Sequence, residues 1–167
     1  MSNIIIATTQ MLSTISTTVT TVTNITSIII INTLTFTATN IYTLGKNIFI
    51  ETNSLGINEL YKIENELDLI ETIKIYESWI IEMSEKKNNE INNSNTIIYT
   101  IMSFNNILQE LHVLLQNIEL KIEYHKTKWF NNYRSIDLSY EITELKIKKN
   151  KLDNRFNLLQ QVINSKI

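Results

Sequence analysis

The sequence predicts a mainly α-helical protein: a long, coiled-coil-like antiparallel hairpin, one helix before it, and an uncharged Thr/Ile-rich N-terminal arm. Three observations carry this reading. Apolar residues recur in alternating steps of four and three along two runs in the C-terminal half. Pro is absent and Gly occurs twice in 167 residues, so the tight turns of a sandwich or barrel have almost no material. Charge is segregated: the first 45 residues carry none, and the rest carry all 15 basic and 17 acidic groups. The chain therefore divides into an arm, residues 1–50, and a charged helical region, residues 51–167.

The arm holds 14 of the 20 Thr residues. Read as a helix, Ile5, Leu12, Ile15, Val19, Val22 and Ile29 form one stripe, and Leu34, Ala38, Ile41 and Ile48 a second, out of phase with it. Thr, Asn and Ile are all weaker helix formers than Ala, so such a helix needs packing to exist. Read as a strand, Thr33 to Thr39 alternates strictly between Thr and apolar residues. Scarce turn residues and the open edges of a lone ribbon count against this. Read as a membrane segment, residues 25–44 are uncharged, but Asn32, Asn40 and six Thr interrupt them. The helical reading is preferred. In each reading the arm meets a partner or a bilayer through Ile15, Val19, Val22, Ile28, Ile29, Leu34 and Phe36.

Residues 57–84 read as the next helix, with Asn53 or Ser54 near its start as a cap. Its apolar positions Leu60, Ile63, Leu67, Ile70, Ile73, Tyr76 and Ile80 shift phase once, so it faces more than one neighbour. Residues 85–95 are Asn-rich and polar and read as an exposed loop.

The hairpin follows. Ile97, Ile101, Phe104, Leu108, Leu111, Leu115, Ile118, Ile122, His125 and Trp129 keep the heptad steps without a skip. Such a helix is about 50 Å long. Its seam, Ile97 through Ile122 and Trp129, is the expected interface with itself or other protein subunits. After a short turn at Asn131 to Ser135, Leu138, Ile142, Leu145, Lys149, Leu152, Phe156, Leu159 and Ile163 repeat the pattern. Lys149 is the exception in that seam and either sets register or snorkels outward.

Charge sign favours packing of these pieces. Residues 57–90 hold nine acids and four bases, a net of −5; residues 121–167 hold ten bases and five acids, a net of +5. The basic stretch Lys146, Lys148, Lys149, Lys151 and Arg155 thus has the acidic helix as its expected partner.

Several chemistries are disfavoured. With no Cys there are no disulfides, thiolate nucleophiles or Cys-based zinc sites. Gln109 and Ile122 stand three residues before His112 and His125, so the Glu-x-x-His motif of di-iron bundles is missing. Neither Gly45 nor Gly56 belongs to a phosphate-binding or nucleophile-elbow pattern. No catalytic, cofactor or metal residue is therefore expected, nor a small-molecule substrate. The basic and aromatic run Lys126 to Arg134 could grip nucleic acid, but a net charge of −2 and the lack of a binding motif argue against it.

The expected role is a non-enzymatic structural or assembly component acting through helical oligomerisation and docking of the arm. The alternative is a protein whose residues 25–44 insert in or lie on a bilayer. No basic n-region or cleavage site marks a signal peptide, which suits the cytoplasm or a virion or other large assembly. Usage of 31 Ile and 22 Asn against two Ala and two Arg points to an AT-rich genome, as in some viruses and phages.

Overall fold

The structure, a computed structural model, describes residues 29, 31–52, 58–86, 94–128 and 136–165. Their regular elements are all helices: α1 (residue 29 and residues 31–52), α2 (Asn58–Leu67), α3 (Leu69–Lys86), α4 (Asn95–Lys126) and α5 (Ser139–Asn164). The arm residues Ile5 to Ile28, the caps Asn53 and Ser54, most of the 85–95 loop, Trp129 and the turn Asn131 to Ser135 lie outside the described residues.

Contacts between helices set their directions. Thr39 meets Glu77 and Tyr42 meets Lys74, so α3 runs against α1. Glu51 pairs with Lys126, the two helix ends together, so α1 and α4 run the same way. Lys121 pairs with Glu141 at 2.6 Å and Glu110 with Lys148 at 2.7 Å, which makes α5 the antiparallel return of α4. This is an up-down-up-down bundle with α2 and α3 as one broken rod. The predicted hairpin is its second half.

A single core joins all four rods. Leu34 and Ile41 from α1, Leu60 from α2, Ile73 from α3, Leu111 and Leu115 from α4, and Leu145 and Leu152 from α5 are all fully buried. The described part of the arm is thus a packed helix that shares its core with residues beyond position 50. Four rings clasp the middle: Phe156 stacks on Tyr76 at 3.8 Å and meets Trp79 edge-on at 5.1 Å and Phe104 at 5.7 Å.

The alternation from Thr33 to Thr39 forms helix, not strand, and the threonines show how. The hydroxyls of Thr33, Thr35, Thr37 and Thr39 each donate to the carbonyl four residues back, at 2.8 to 3.1 Å. Each polar group is satisfied inside its own helix, so Thr37 is buried without an orphaned donor.

The helix expected over residues 57–84 is two helices. Asp68 between them has φ 47°, the left-handed region that Asp tolerates better than most residues. Its N–H still donates to the Glu64 carbonyl at 2.8 Å, while the Glu64 carboxylate accepts from the Ile70 N–H at 3.1 Å and so caps α3. The break rotates α3 so that Leu69, Ile70 and Ile73 enter the core, which accounts for the phase shift in the sequence.

Candidate interaction surfaces

The seam expected to bind a partner lies inside the chain. Ile97, Ile101, Phe104, Leu108, Leu111, Leu115, Ile118 and Ile122 are all buried against the chain's own helices, mainly α5. Of the arm residues, Leu34 is fully buried, while Ile29 and Phe36 are 58% and 69% exposed. Ile15, Val19, Val22 and Ile28 are outside the described residues.

Opposite its buried seam, α4 carries a second stripe. Tyr99, Met102, Asn106, Gln109, Val113, Asn117, Leu120 and Tyr124 recur at steps of three and four, about half a turn away from Phe104 and Leu111. Tyr99, Met102, Val113, Leu120 and Tyr124 are large and exposed, from 45% to 72%. No charged residue interrupts the stripe. Following only the stronger seam passes over it, yet its period is the same and is legible in the sequence. Beside it, Asn106, Gln109, Val113 and Asn117 of α4 and Tyr140 and Glu144 of α5 line an open groove of about 610 Å³. One wall of that groove is the Glu110–Lys148 pair, whose hydrogen bond holds the Glu110 carboxyl below its ordinary range.

Helix α1 has a similar outer line. Ile29, Phe36, Thr43 and Ile50 recur every seven residues, with Asn40 and Asn47 between them, and all three apolar members are exposed. The nearest charged residues on α1, Lys46 and Glu51, flank this line rather than lie on it.

The charged groups mostly face one another. Lys149, the exception in the α5 seam, stays inside: its ammonium donates to both oxygens of Asp153, at 2.9 and 2.8 Å, and the Tyr76 hydroxyl donates to the same carboxylate at 2.6 Å. Of the basic stretch on α5, Lys146 reaches Glu66 of α2 at 3.6 Å, as charge sign predicts, while Lys148 turns instead to Glu110 of α4. At the end of α4, Lys128 sits 4.0 Å above the Tyr124 ring.

A small apolar void of about 20 Å³ lies between Leu34, Trp79, Met83, Ile101 and Leu159, room for no more than a water-sized molecule. Among the described residues no cluster of three His, Cys, Asp or Glu could hold a metal ion. Nor is any helix of the described residues long and apolar enough to cross a membrane. Residues 31–44, most of the segment read as membrane-associating, place Ile31, Leu34, Ala38 and Ile41 in the core.

No family model matches the chain, and no solved structure matches it. It is similar to an uncharacterised protein of Acanthamoeba polyphaga mimivirus, with 34% identity over 55 residues, which make up 33% of this chain and 27% of that protein.

Proposed function

We propose that the chain is a non-enzymatic assembly component of a larger, virus-encoded complex, joined through outward helix faces and the apolar N-terminal arm. The outer face of α1 carries this reading. Ile29, Phe36 and Ile50 are 58%, 69% and 62% exposed on a helix whose opposite face is already sealed in the core. An uncharged line of exposed apolar side chains spaced along one helix face is a surface through which helices dock. Residues 1–28, which precede α1 in the sequence, contain no charged side chain. Similarity to a mimivirus protein and AT-rich residue usage support a viral setting.

Isolation of the assembly from its source cells tests the role. The wild-type chain should co-fractionate at fixed stoichiometry with other subunits, and Phe36→Asp should release it while leaving its helix content intact. A wild-type chain recovered only at its own 19.5 kDa mass would overturn the proposal. Co-flotation with liposomes that resists high salt and carbonate would assign the arm to a bilayer instead.

A further inference from the structure

We infer that the outer stripe of α4 is a homodimer interface, in which a second copy of the chain packs its own α4 antiparallel across a two-fold axis near Leu111 and His112. This deepens and rests on the assembly role proposed above by naming one partner and the face it uses.

The stripe is self-complementary when reversed. A two-fold contact places residue i against j and j against i. About an axis between positions 111 and 112, Tyr99 of one copy falls opposite Tyr124 of the other and Asn106 opposite Asn117, with Met102 and Leu120 one residue from strict register in the layer between. Gln109 and Val113 meet at the centre. Aromatic meets aromatic, apolar meets apolar, and amide meets amide. The Asn layers can bond side chain to side chain and fix the register, as a buried Asn does in a coiled coil.

Charge selects the same orientation. From Asn95 to Ile118 the helix has one acidic residue, Glu110, and that is already paired with Lys148. From Glu119 to Lys128 it carries Glu119, Lys121, Glu123, Lys126 and Lys128. A parallel pair would press this charged end against its own copy. The antiparallel pair lays it on the uncharged half and also opposes the helix dipoles.

The length suits a helix-to-helix contact. From Tyr99 to Tyr124 the stripe runs about 37 Å at 1.5 Å per residue. Tyr140, 68% exposed, widens it along the groove toward α5. At one helix diameter of about 10–12 Å the α4 stripe alone covers about 400 Å², and the groove wall toward α5 extends the contact toward the standard interface of about 800 Å² per partner.

Because the chain has no Cys, full-length single-Cys variants report the geometry cleanly. Light scattering of the purified wild type should give about twice 19.5 kDa. Leu120→Lys and, independently, Val113→Lys should raise the dissociation concentration at least about tenfold with unchanged circular dichroism, since both side chains are exposed in the single chain. Mixed Tyr99→Cys and Tyr124→Cys chains should form a disulfide-linked pair on mild oxidation, whereas neither variant alone should. A monomer at all concentrations, a dimer untouched by both Lys variants, or self-linking of Tyr99→Cys alone would overturn the inference. A pure chain that stays monomeric yet enters a Phe36-dependent assembly would sink the dimer and leave the proposed role standing. A dimer of the expected geometry that joins nothing larger would do the reverse.

Discussion

The Cδ1 of Ile70 occupies the space where a side chain on Gly45 would begin, so α1 and the start of α3 meet at a contact where a Cβ would turn that terminal methyl aside. Gly in a helix interior costs about 1 kcal/mol relative to Ala, and here that cost secures the close approach. Because the atom that must move is the free end of a flexible side chain, Gly45→Ala should be close to neutral, a rotamer cost of about 0.5–1.5 kcal/mol at Ile70 offsetting the propensity gain. Ile70→Val removes that same Cδ1 at a cost of about 0.5–1.5 kcal/mol. In the Ile70→Val background Gly45→Ala should stabilise by the whole propensity gain, about 1 kcal/mol. Denaturant unfolding of the four species checks this, and purely additive effects would show that the two sites are not coupled.

Phe156 of α5 touches three other rings on two helices: Tyr76 and Trp79 on α3, and Phe104 on α4. Phe156→Ala opens a cavity where these helices share ring contacts. The expected loss is about 3–5 kcal/mol. Phe156→Leu keeps most of the volume and should lose less. Thermal unfolding that placed the two variants level would mean the ring cluster relaxes around the gap.

How much of this was legible depended on which force dominated locally. The α4 and α5 seams read directly from spacing, because each seam residue from Ile97 to Ile122 has the same use, burial against the chain's own helices. What spacing could not say is whether that seam closes on the same chain or on another. The break at Asp68 left only a phase shift as its trace, since its cause is a backbone conformation plus a cap from Glu64 six residues before Ile70. The Thr33 to Thr39 segment looked like a strand, because alternation is a strand signal only while the hydroxyls lack helical partners, and here they find them four residues back. The second α4 stripe has the same period as the first but fewer aliphatic residues, so the stronger pattern hid it.

Tyr76 and Lys149 converge on one carboxylate, Asp153, between α3 and α5. Burial, and then the neighbouring Asp153, push the Tyr76 hydroxyl above its ordinary range, so it remains a protonated donor under all working conditions. Tyr76→Phe keeps the stacked ring and removes only that donor. Hydrogen bonds to charged groups contribute about 1.5–3 kcal/mol, and Asp153 retains Lys149, so the expected loss is near the lower end. In a double-mutant cycle with Asp153→Asn, the Tyr76→Phe cost should shrink by at least half. An unchanged cost would place its origin in ring packing instead.

The last prediction concerns Glu64, whose carboxylate caps α3 while one of its oxygens is buried without a partner in the protein. Burial raises its pKa above the ordinary value of 4.5; the negative neighbours Asp68 and Glu71 add to the rise, and the Ile70 N–H opposes it. A raised carboxyl pKa in the folded state means that the fold holds more protons on Glu64 than the unfolded chain does at intermediate pH. The group therefore lends stability as pH falls through its folded pKa toward 4.5, and withdraws it as pH rises. Glu64→Gln keeps an oxygen to accept from Ile70 but carries no charge. It should be at least as stable as the wild type at pH 7, with an advantage that shrinks steadily as the pH is lowered to 4.5. Glu64→Ala removes the acceptor as well and should be about 1 kcal/mol less stable than Glu64→Gln at either pH, as an absent helix cap is. Unfolding curves of the three proteins at the two pH values separate the effects of charge and cap. A Glu64→Gln variant that is less stable at pH 7 and recovers in acid would mean that the ionised carboxylate, not the bare acceptor, holds the start of α3.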